Sequence, residues 1–496
     1  MNARPDAFTR RIARQVVYQI FPERFAIGRG LDSAGKLADP AYQIEGAVAR
    51  DWNDSTMHQP WAQQFFGGDL DGIADRLDYL QMLGIDTLYL TPIFSAPSNH
   101  KYDATDFFCV DPMFGGDAAL DRLLNALRPR AMGLLLDAVL NHVSDRHPWF
   151  LAAQAGDSNY RNFFGYNAQG EALCWQDFGS MPELNLANPE VRDRLYRQPD
   201  SVVQYWLARG ISGWRFDVAQ DVGIEVAEDL VASVGKRYPD ALLLGELNGF
   251  SGSWFDSGQG FHGMMNYWYR TALLAWLGGE IDAIQMNRAI SDARQGYGLS
   301  GLLCSWNMLS SHDTPRLLTS LGSSRRVRLA QLAQFTLPGV PLLYYGEEIG
   351  MEGGPDPDCR RPMRWNPAEQ DQQQLEWTRR LIALRRANPA LQYGDVIVLG
   401  DRLPGNALVY LRHTERPGEA ALIVINLGEQ PLRHKLLLPY SHWYDGVPLR
   451  DALGNCSDTR MAAGAVQLDV PAGEAALYQA FEPYNRYTFF KPRNGG

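Results

Sequence analysis

Four short segments of this 496-residue chain run from apolar residues into a carboxylate or a histidine. They are Asp137-Ala-Val-Leu-Asn141-His142, Gly213-Trp-Arg215-Phe-Asp217, Gly245-Glu246 and His312-Asp313. Brought together, they would give one pocket three acids, an arginine and two histidines. Cutting a glycosidic bond needs two carboxyls: one attacks or activates water, the other protonates the leaving oxygen. Arg215 lies two residues before Asp217, so both side chains share one face of a strand. A guanidinium beside an aspartate keeps it ionised and orients it as a nucleophile. Glu246 closes the apolar run Leu242-Leu-Leu-Gly245, where partial desolvation would raise its pKa and suit a general acid. His142 and His312 carry N–H groups that can donate to sugar hydroxyls. Each motif alone has a plain structural reading: a strand-end ion pair, a solvated loop glutamate, a packed histidine. Their joint order and spacing favour the chemical one.

Such residues need a scaffold that brings strand ends together. The chain repeats an amphipathic helix, a glycine and an apolar strand. Leu70, Ile73, Leu77 and Leu80 fall at helical spacing, then Gly84, then Ile85–Leu90. Leu120–Leu127 leads through Gly133 to Leu134–Asp137, and Val202–Leu207 through Gly210 to Trp214–Asp217. That rhythm marks βα units around a buried parallel sheet. Val16–Phe21, Ala241–Gly245, Met264–Tyr267, Met308–Ser311 and Val340–Tyr345 are the further strand candidates, making about eight, the number of a (β/α)8 TIM barrel. Active sites of such barrels lie at the C-terminal strand ends, where the sequence puts Asp217, Glu246 and Asp313 on the fourth, fifth and seventh strands. Residues 144–188 are aromatic, polar and glycine-containing, too long for an ordinary connection, and read as a loop-rich subdomain inserted after strand 3. From residue 395 the helices give way to alternating runs such as Ala421-Leu-Ile-Val-Ile425, a C-terminal antiparallel β-sandwich domain. The expected division is an α/β barrel at 1–143 and 189–394, the insertion at 144–188, and the β domain at 395–496.

Composition limits the partners. The profile is that of a soluble globular protein, 45% hydrophobic and 21% charged. With a net charge of -11 and no Lys/Arg cluster, it argues against nucleic acid or an anionic membrane as partner. No stretch has the length of a membrane span, and no signal peptide is read at the N-terminus. Cys109, Cys174, Cys304, Cys359 and Cys456 are odd in number and scattered, which suits free thiols and a cytoplasmic location. No glycine-rich phosphate loop precedes a helix.

In this order, Asp-x-x-x-Asn-His, Gly-x-Arg-x-Asp, Gly-Glu and His-Asp resemble the motifs of the α-amylase family of glycoside hydrolases. The resemblance extends from Val17-Tyr-Gln-Ile-Phe-Pro-Glu-Arg-Phe25 to the β domain, with Gly339–Glu348 similar to the family's last barrel strand. It implies that Asp217 is the nucleophile and Glu246 the acid/base, in a retaining mechanism with carboxyls about 5–5.5 Å apart. Asp313 would hold the sugar hydroxyls and favour the distorted ring, and Arg215, His142 and His312 would bind the sugar at the cleavage point. Tyr102 would stack beneath the ring, and Asp103 would support Arg215 or its neighbours. Phe65-Phe-Gly-Gly-Asp-Leu70, Pro97–Asp103, Met181-Pro-Glu-Leu-Asn185 and Asp356–Met363 resemble the cyclomaltodextrinase, maltogenic amylase and neopullulanase branch. On that resemblance, Asp356 and Arg360 bind the next glucose on the non-reducing side. The implied substrates are maltooligosaccharides and cyclodextrins cut at α-1,4 linkages. A conventional α-amylase on starch, an α-1,6-glucosidase or a transglycosylase are the alternatives within the family, and an inactive glucan-binding member is a more distant one.

The chain also departs from that branch. Its barrel starts by about Val16, which leaves no room for the extra N-terminal β domain through which relatives pair, so monomer and homodimer both stay open. Relatives often bind calcium after Phe-Pro-Glu-Arg-Phe through Asn-Gly-Asp. Here Ile27-Gly28-Arg29 removes two oxygens and adds a positive charge, so calcium is not favoured and no metal or cofactor is expected. Gln220-Asp221 stands where typical α-amylases show Lys-His, and Leu247-Asn248-Gly249 lacks the aromatic residue and histidine of relatives. Trp52, Trp61, Trp175 and Trp306 are candidate sugar platforms.

Overall fold

The structure is a computed structural model that describes residues 4–28, 30–39, 42, 44–439, 443 and 446–480. Eight parallel strands form its centre. They are β1 Val17–Ile20, β2 Thr87–Leu90, β3 Gly133–Ala138, β4 Gly213–Phe216, β5 Leu242–Gly245, β6 Gly263–Met264, β7 Trp306–Met308 and β8 Val340–Tyr344. Hydrogen bonds order them β6-β5-β4-β3-β2-β1-β8-β7. A parallel bridge between Met265 and Trp306 closes the ring. This is the (β/α)8 barrel that the helix–glycine–strand rhythm predicts.

Side chains alternate along each strand, so every second residue enters the barrel. Val17, Tyr89, Leu135, Leu242, Leu244, Trp306, Met308, Val340 and Leu342 fill its interior. Two residues on from Leu135 and Leu244, the same parity delivers Asp137 and Glu246 to the upper rim. In the register of β3, β4 and β5, Arg215 lies between Asp137 and Leu244. Gly213 is required for this packing: a Cβ there would meet the Leu242 carbonyl oxygen at 2.1 Å.

Glycines end the helices as the sequence suggests. Leu77–Leu83 stops at Gly84 (φ 98°) and Val202–Arg209 at Gly210 (φ 107°). The expected single helix over Leu70–Leu80 is two, Leu70–Asp75 and Leu77–Leu83, broken where Arg76 leaves helical geometry with its guanidinium 4.2 Å from the Trp365 ring. Two strand boundaries also move. β7 ends at Met308, not Ser311, so Asp313 stands on the loop beyond the strand rather than at its end. β6 is short because Asn266 caps a helix beginning at Tyr267, accepting from the Tyr269 N–H at 3.1 Å.

Between β3 and the next barrel helix the chain leaves the ring. Pro148–Gln154 and Ser158–Arg161 are helical, and antiparallel bridges pair His142 with Glu183, Phe164 with Leu184 and Cys174 with Pro182. The return leg is pinned where the Leu184 N–H donates to the Asn141 carbonyl at 2.8 Å. The excursion therefore starts and finishes on the rim that carries the acids.

The C-terminal strands are β9 Asp395–Val398, β10 Ala407–His413, β11 Ala421–Asn426, β12 Leu432–Leu437, β13 Pro448–Asp451, β14 Thr459–Ala462, β15 Ala465–Val470 and β16 Ala475–Ala480. They form one antiparallel sheet in the order β9-β10-β11-β16-β13-β14-β15-β12, folded over its own core. Val409, Leu411, Leu422 and Val424 face that core, while Leu408, Tyr410, Ile423 and Ile425 join the core of the barrel. Burial on both faces explains why β10 and β11 are continuously apolar where alternating runs were expected. The Arg294–Asp395 ion pair at 2.6 Å fastens the same junction.

Candidate active site

The guanidinium of Arg215 is the centre of the upper rim. Its Nη1 donates to Asp137 Oδ1 and to Asp217 Oδ1, each at 2.7 Å, and its Nη2 lies 2.8 Å from Glu246 Oε2. One buried cation thus fixes three carboxylates contributed by β3, β4 and β5. Asp217 follows β4, and Glu246 follows β5. The Val218 N–H donates to Glu246 Oε2 at 3.0 Å, and the Tyr267 hydroxyl donates to its Oε1 at 3.3 Å. Val218 holds φ 38° and ψ 48°, a left-handed conformation that a β-branched residue adopts only under strain. That strain sits at the turn from the nucleophile candidate to the acid candidate, where such outliers concentrate.

Around this centre runs a chain of hydrogen bonds. Gln19 Nε2 meets His312 Nδ1 at 2.8 Å, and His312 Nε2 meets the Tyr102 hydroxyl at 2.6 Å. Tyr102 in turn donates to Asp137 Oδ2 at 3.0 Å, where Tyr89 also donates at 2.6 Å. The Tyr102 and His312 rings lie parallel within 5°. Asp313 is more solvent-open than the three acids on Arg215, its side chain 38% exposed, held by His312 Nε2 and Arg360 Nη2, both at 3.2 Å. Arg360 also binds Asp356 Oδ1 at 3.1 Å through Nε. His142 is buried under Trp175, ring centroids 5.2 Å apart, and its Nε2 has no hydrogen-bond partner among the described residues. All nine residues singled out in the sequence thus fall on one rim of the barrel.

Several neighbours were not singled out. Asp137, quoted only as the first residue of a motif, completes the arginine's ring of acceptors, while Tyr89 donates to Asp137 and Gln19 to His312. The available signal was parity, since Asp137 is two residues beyond the core residue Leu135. Asp103, expected to support Arg215 or its neighbours, accepts a hydrogen bond from the Ser98 hydroxyl. Asp137 takes the place beside the arginine because it is the in-register residue of the adjoining strand. Trp306 is fully buried inside the barrel, 5.1 Å from the Tyr89 ring, so it fills the core and offers no platform. Trp52 ties its Nε1 to the Met363 carbonyl at 2.9 Å, and Trp61 remains 44% exposed. Asp221 accepts from Trp175 Nε1 at 3.2 Å, linking the excursion to the loop after β4. Glu347 and Glu348 are buried but structural: Glu347 accepts from Ser310 at 2.7 Å, and Glu348 from Tyr18 and Tyr79 at 2.8 and 2.6 Å.

Burial dominates the electrostatics. Asp217 is pushed well above the ordinary aspartate range by burial and by the Glu246 and Asp137 charges, against the pull of Arg215. Burial and two neighbouring acids thus outweigh the pull of Arg215 on which the two-residue motif drew. Asp137 is pushed up to about 6, chiefly by burial. Burial lowers a guanidinium, but Asp137 and Glu246 outweigh it and keep Arg215 charged. Burial also holds His142 down at about 4 and His312 well below the usual range, so both imidazoles are neutral hydrogen-bonding groups. Asp137 and Asp217, on one cation, titrate as a pair.

This has a consequence for stability. A carboxyl raised in the folded state favours folding below its unfolded pKa, and that contribution is lost as pH rises through the folded value. The Asp137 contribution is therefore lost between about pH 4 and pH 6. The Asp137→Asn variant is expected to have a Tm that falls less steeply than wild type over that window. Parallel slopes in the two melting series would contradict this.

The calcium expectation for the segment after Phe25 falls partly on Arg29, which lies outside the described residues. The oxygens of the Gly67-Gly68-Asp69 turn that faces Gly28 are engaged by protein groups. The Lys36 ammonium donates to Asp69 Oδ2 at 2.6 Å and to the Gly67 carbonyl at 2.8 Å, while Asp69 Oδ1 accepts from the Gly28 N–H at 3.0 Å. Calcium prefers six to eight oxygens. Among the described residues, no group of three or more His, Cys, Asp or Glu side chains is arranged to hold a metal.

The profile of the family "Alpha amylase, catalytic domain" matches residues 19–373. The chain belongs to the α-amylase family. It is 37% identical over 427 residues to Neopullulanase 2 of Thermoactinomyces vulgaris, a match covering 84% of this chain and 70% of that one. It is 38% identical over 423 residues to a cyclomaltodextrinase of Geobacillus thermopakistaniensis, covering 83% of this chain and 68% of the other. Among solved structures, cyclic alpha-maltosyl-(1-->6)-maltose hydrolase from Arthrobacter globiformis superposes with a TM-score of 0.79 at 29% identity, over 96% of this chain and all (100%) of the other. This family member is a glycoside hydrolase.

Proposed function

We propose that the protein is a retaining α-glucan hydrolase that cuts α-1,4 bonds of maltooligosaccharides and cyclodextrins. The observation that carries this reading is the Arg215 centre, which holds two rim carboxylates, Asp217 and Glu246, on one guanidinium. In this reading Asp217 attacks the anomeric carbon and forms a covalent glycosyl–enzyme, while Glu246 gives its proton to the leaving oxygen. Glu246 then takes a proton from water, which releases the sugar. The Val218 N–H and Tyr267 hydroxyl hold Glu246 in place for both steps. Asp313, tied to Arg360 and half open to solvent, binds the hydroxyls of the sugar being cut. The neutral N–H groups of His142 and His312 add donors, and Tyr102 stacks against the ring. Asp356 and Arg360 hold the next glucose on the non-reducing side. The sequence likeness to a cyclomaltodextrinase and a neopullulanase supports the substrate class.

The structural likeness to a hydrolase named for an alpha-(1-->6) linked cyclic maltose favours a second reading, cleavage of α-1,6 bonds at the same site. A parallel time course on γ-cyclodextrin, maltoheptaose, soluble starch and pullulan, without added metal, separates the two. The first reading expects cyclodextrin to be opened faster than starch, ending in maltose and glucose. Starch outpacing cyclodextrin would contradict the substrate assignment, and maltotriose as the main pullulan product would establish α-1,6 cleavage. No helix among the described residues is long and apolar enough to cross a membrane. Five free cysteines accord with a cytoplasmic site of action, which we include in the proposal.

A further inference from the structure

We infer that Lys36 is a built-in cation that fastens the loop after β1, so that this loop needs no divalent metal. The geometry is that of a cation site. Three separate segments converge on the Gly67-Gly68-Asp69 turn. The first is Pro22–Gly28. Glu23 Oε1 accepts from the Phe66 and Gly67 N–H groups, and a Cβ on Gly68 would meet the Pro22 carbonyl oxygen at 2.3 Å. The second is Ser33–Lys36, whose backbone leaves no space for a side chain on Gly67: a Cβ there would lie 2.8 Å from the Ser33 nitrogen. The third is the helix starting at Leu70, capped by Asp69 Oδ1, which accepts from the Gly72 N–H at 2.6 Å.

The turn directs two oxygens inward, the Gly67 carbonyl and Asp69 Oδ2. Both would cost free energy if buried without a positive or donor partner. The Lys36 ammonium meets them at 2.8 and 2.6 Å, with Lys36 only 6% exposed and Asp69 7% exposed. An ammonium is a compact point charge with three donors, so it can satisfy two acceptors at angles that a small bound cation would otherwise serve. Because it arrives on a side chain, its effective concentration does not depend on the medium. The adjoining chain agrees. Gly28 offers Asp69 a backbone N–H at 3.0 Å, a donor where a metal site would need an acceptor. The loop so fastened carries Trp52 and Trp61 to the mouth of the barrel. Asn99 is clamped there by the Trp61 carbonyl at 2.7 Å, three residues before Tyr102.

The test reads stability, not turnover, so it stands apart from the substrate assignment. Thermal melts of wild type are recorded with excess EDTA and with millimolar calcium chloride, alongside the Lys36→Met and Asp69→Asn variants and their double variant. The expected result is a wild-type Tm unmoved by either addition. Each single variant is expected to lose roughly 5 °C, and the double variant less than the sum of the two, as for directly paired groups. Should Lys36→Met prove insoluble, hydrogen exchange of the wild-type 26–39 backbone with and without calcium gives the same decision. Protection unchanged by calcium upholds the inference. A calcium-dependent rise in wild-type Tm or protection overturns it, as does a Lys36→Met protein that melts like wild type.

Discussion

Asp217→Asn is expected to lower kcat on maltoheptaose about ten-thousand-fold while leaving Tm equal to wild type or higher. The two halves of this expectation have one cause. Asp217 is one of three carboxylates on the Arg215 guanidinium, and burial with its two acidic neighbours pushes its pKa upward. Removing one charge from that set relieves repulsion, while Asp137 and Glu246 still pair the arginine. Stability therefore does not require the Asp217 charge, but attack on an anomeric carbon does. A merely structural aspartate would give the reverse pattern, a lower Tm with activity lost in proportion to unfolding. Glu246→Gln should lose turnover similarly, with one difference. A substrate with a fluoride leaving group needs little protonation, so it should still glycosylate the enzyme. Wild-type-like turnover of maltoheptaose by either purified variant would overturn the assignment.

Arg215→Met is expected to cost about 3–5 kcal/mol of stability and to abolish activity. The arginine is fully buried, and no other cation lies within ion-pair distance of Asp137, Asp217 or Glu246 among the described residues. Without it, three desolvated carboxyls must all take up protons or open the barrel rim to water. Lysine is no replacement, because one ammonium cannot span Asp217 and Glu246 as two guanidinium nitrogens do. Urea unfolding at neutral pH measures the loss. Because protonation relieves the unpaired acids, the deficit should shrink as pH falls toward 5. A deficit independent of pH would mean that the arginine acts through packing instead.

The barrel was legible because its signals are local. Apolar strand runs, helix spacing and terminal glycines are written in consecutive residues, and six of the nine predicted site residues belong to motifs that close such runs. The rest depends on pairing across the sheet. Asp137 became the arginine's partner because β3 and β4 align Asp137 with Arg215, and no single segment records that alignment. Asp103 looked equally suitable, as an acid beside Tyr102, but its loop directs it to Ser98. Trp306 carries the same indole as Trp175, yet one lies inside the ring of strands and the other on the excursion above it. Asp313 was placed correctly on the rim and wrongly on a strand, since Met308–Ser311 has strand-like composition while pairing with β8 stops at Met308. Lys36 gave no signal at all, as its partners at Gly67 and Asp69 come from a separate turn.

The retaining reading requires Asp217 to become covalently bonded to the sugar. The most direct measurement is intact mass and peptide mapping of the Glu246→Gln variant after brief exposure to α-maltosyl fluoride. The account predicts a single maltosyl adduct on the peptide containing Asp217. It also predicts none when Asp217→Asn is combined with Glu246→Gln. A burst of fluoride release with no adduct, or an adduct on a peptide lacking Asp217, would contradict it.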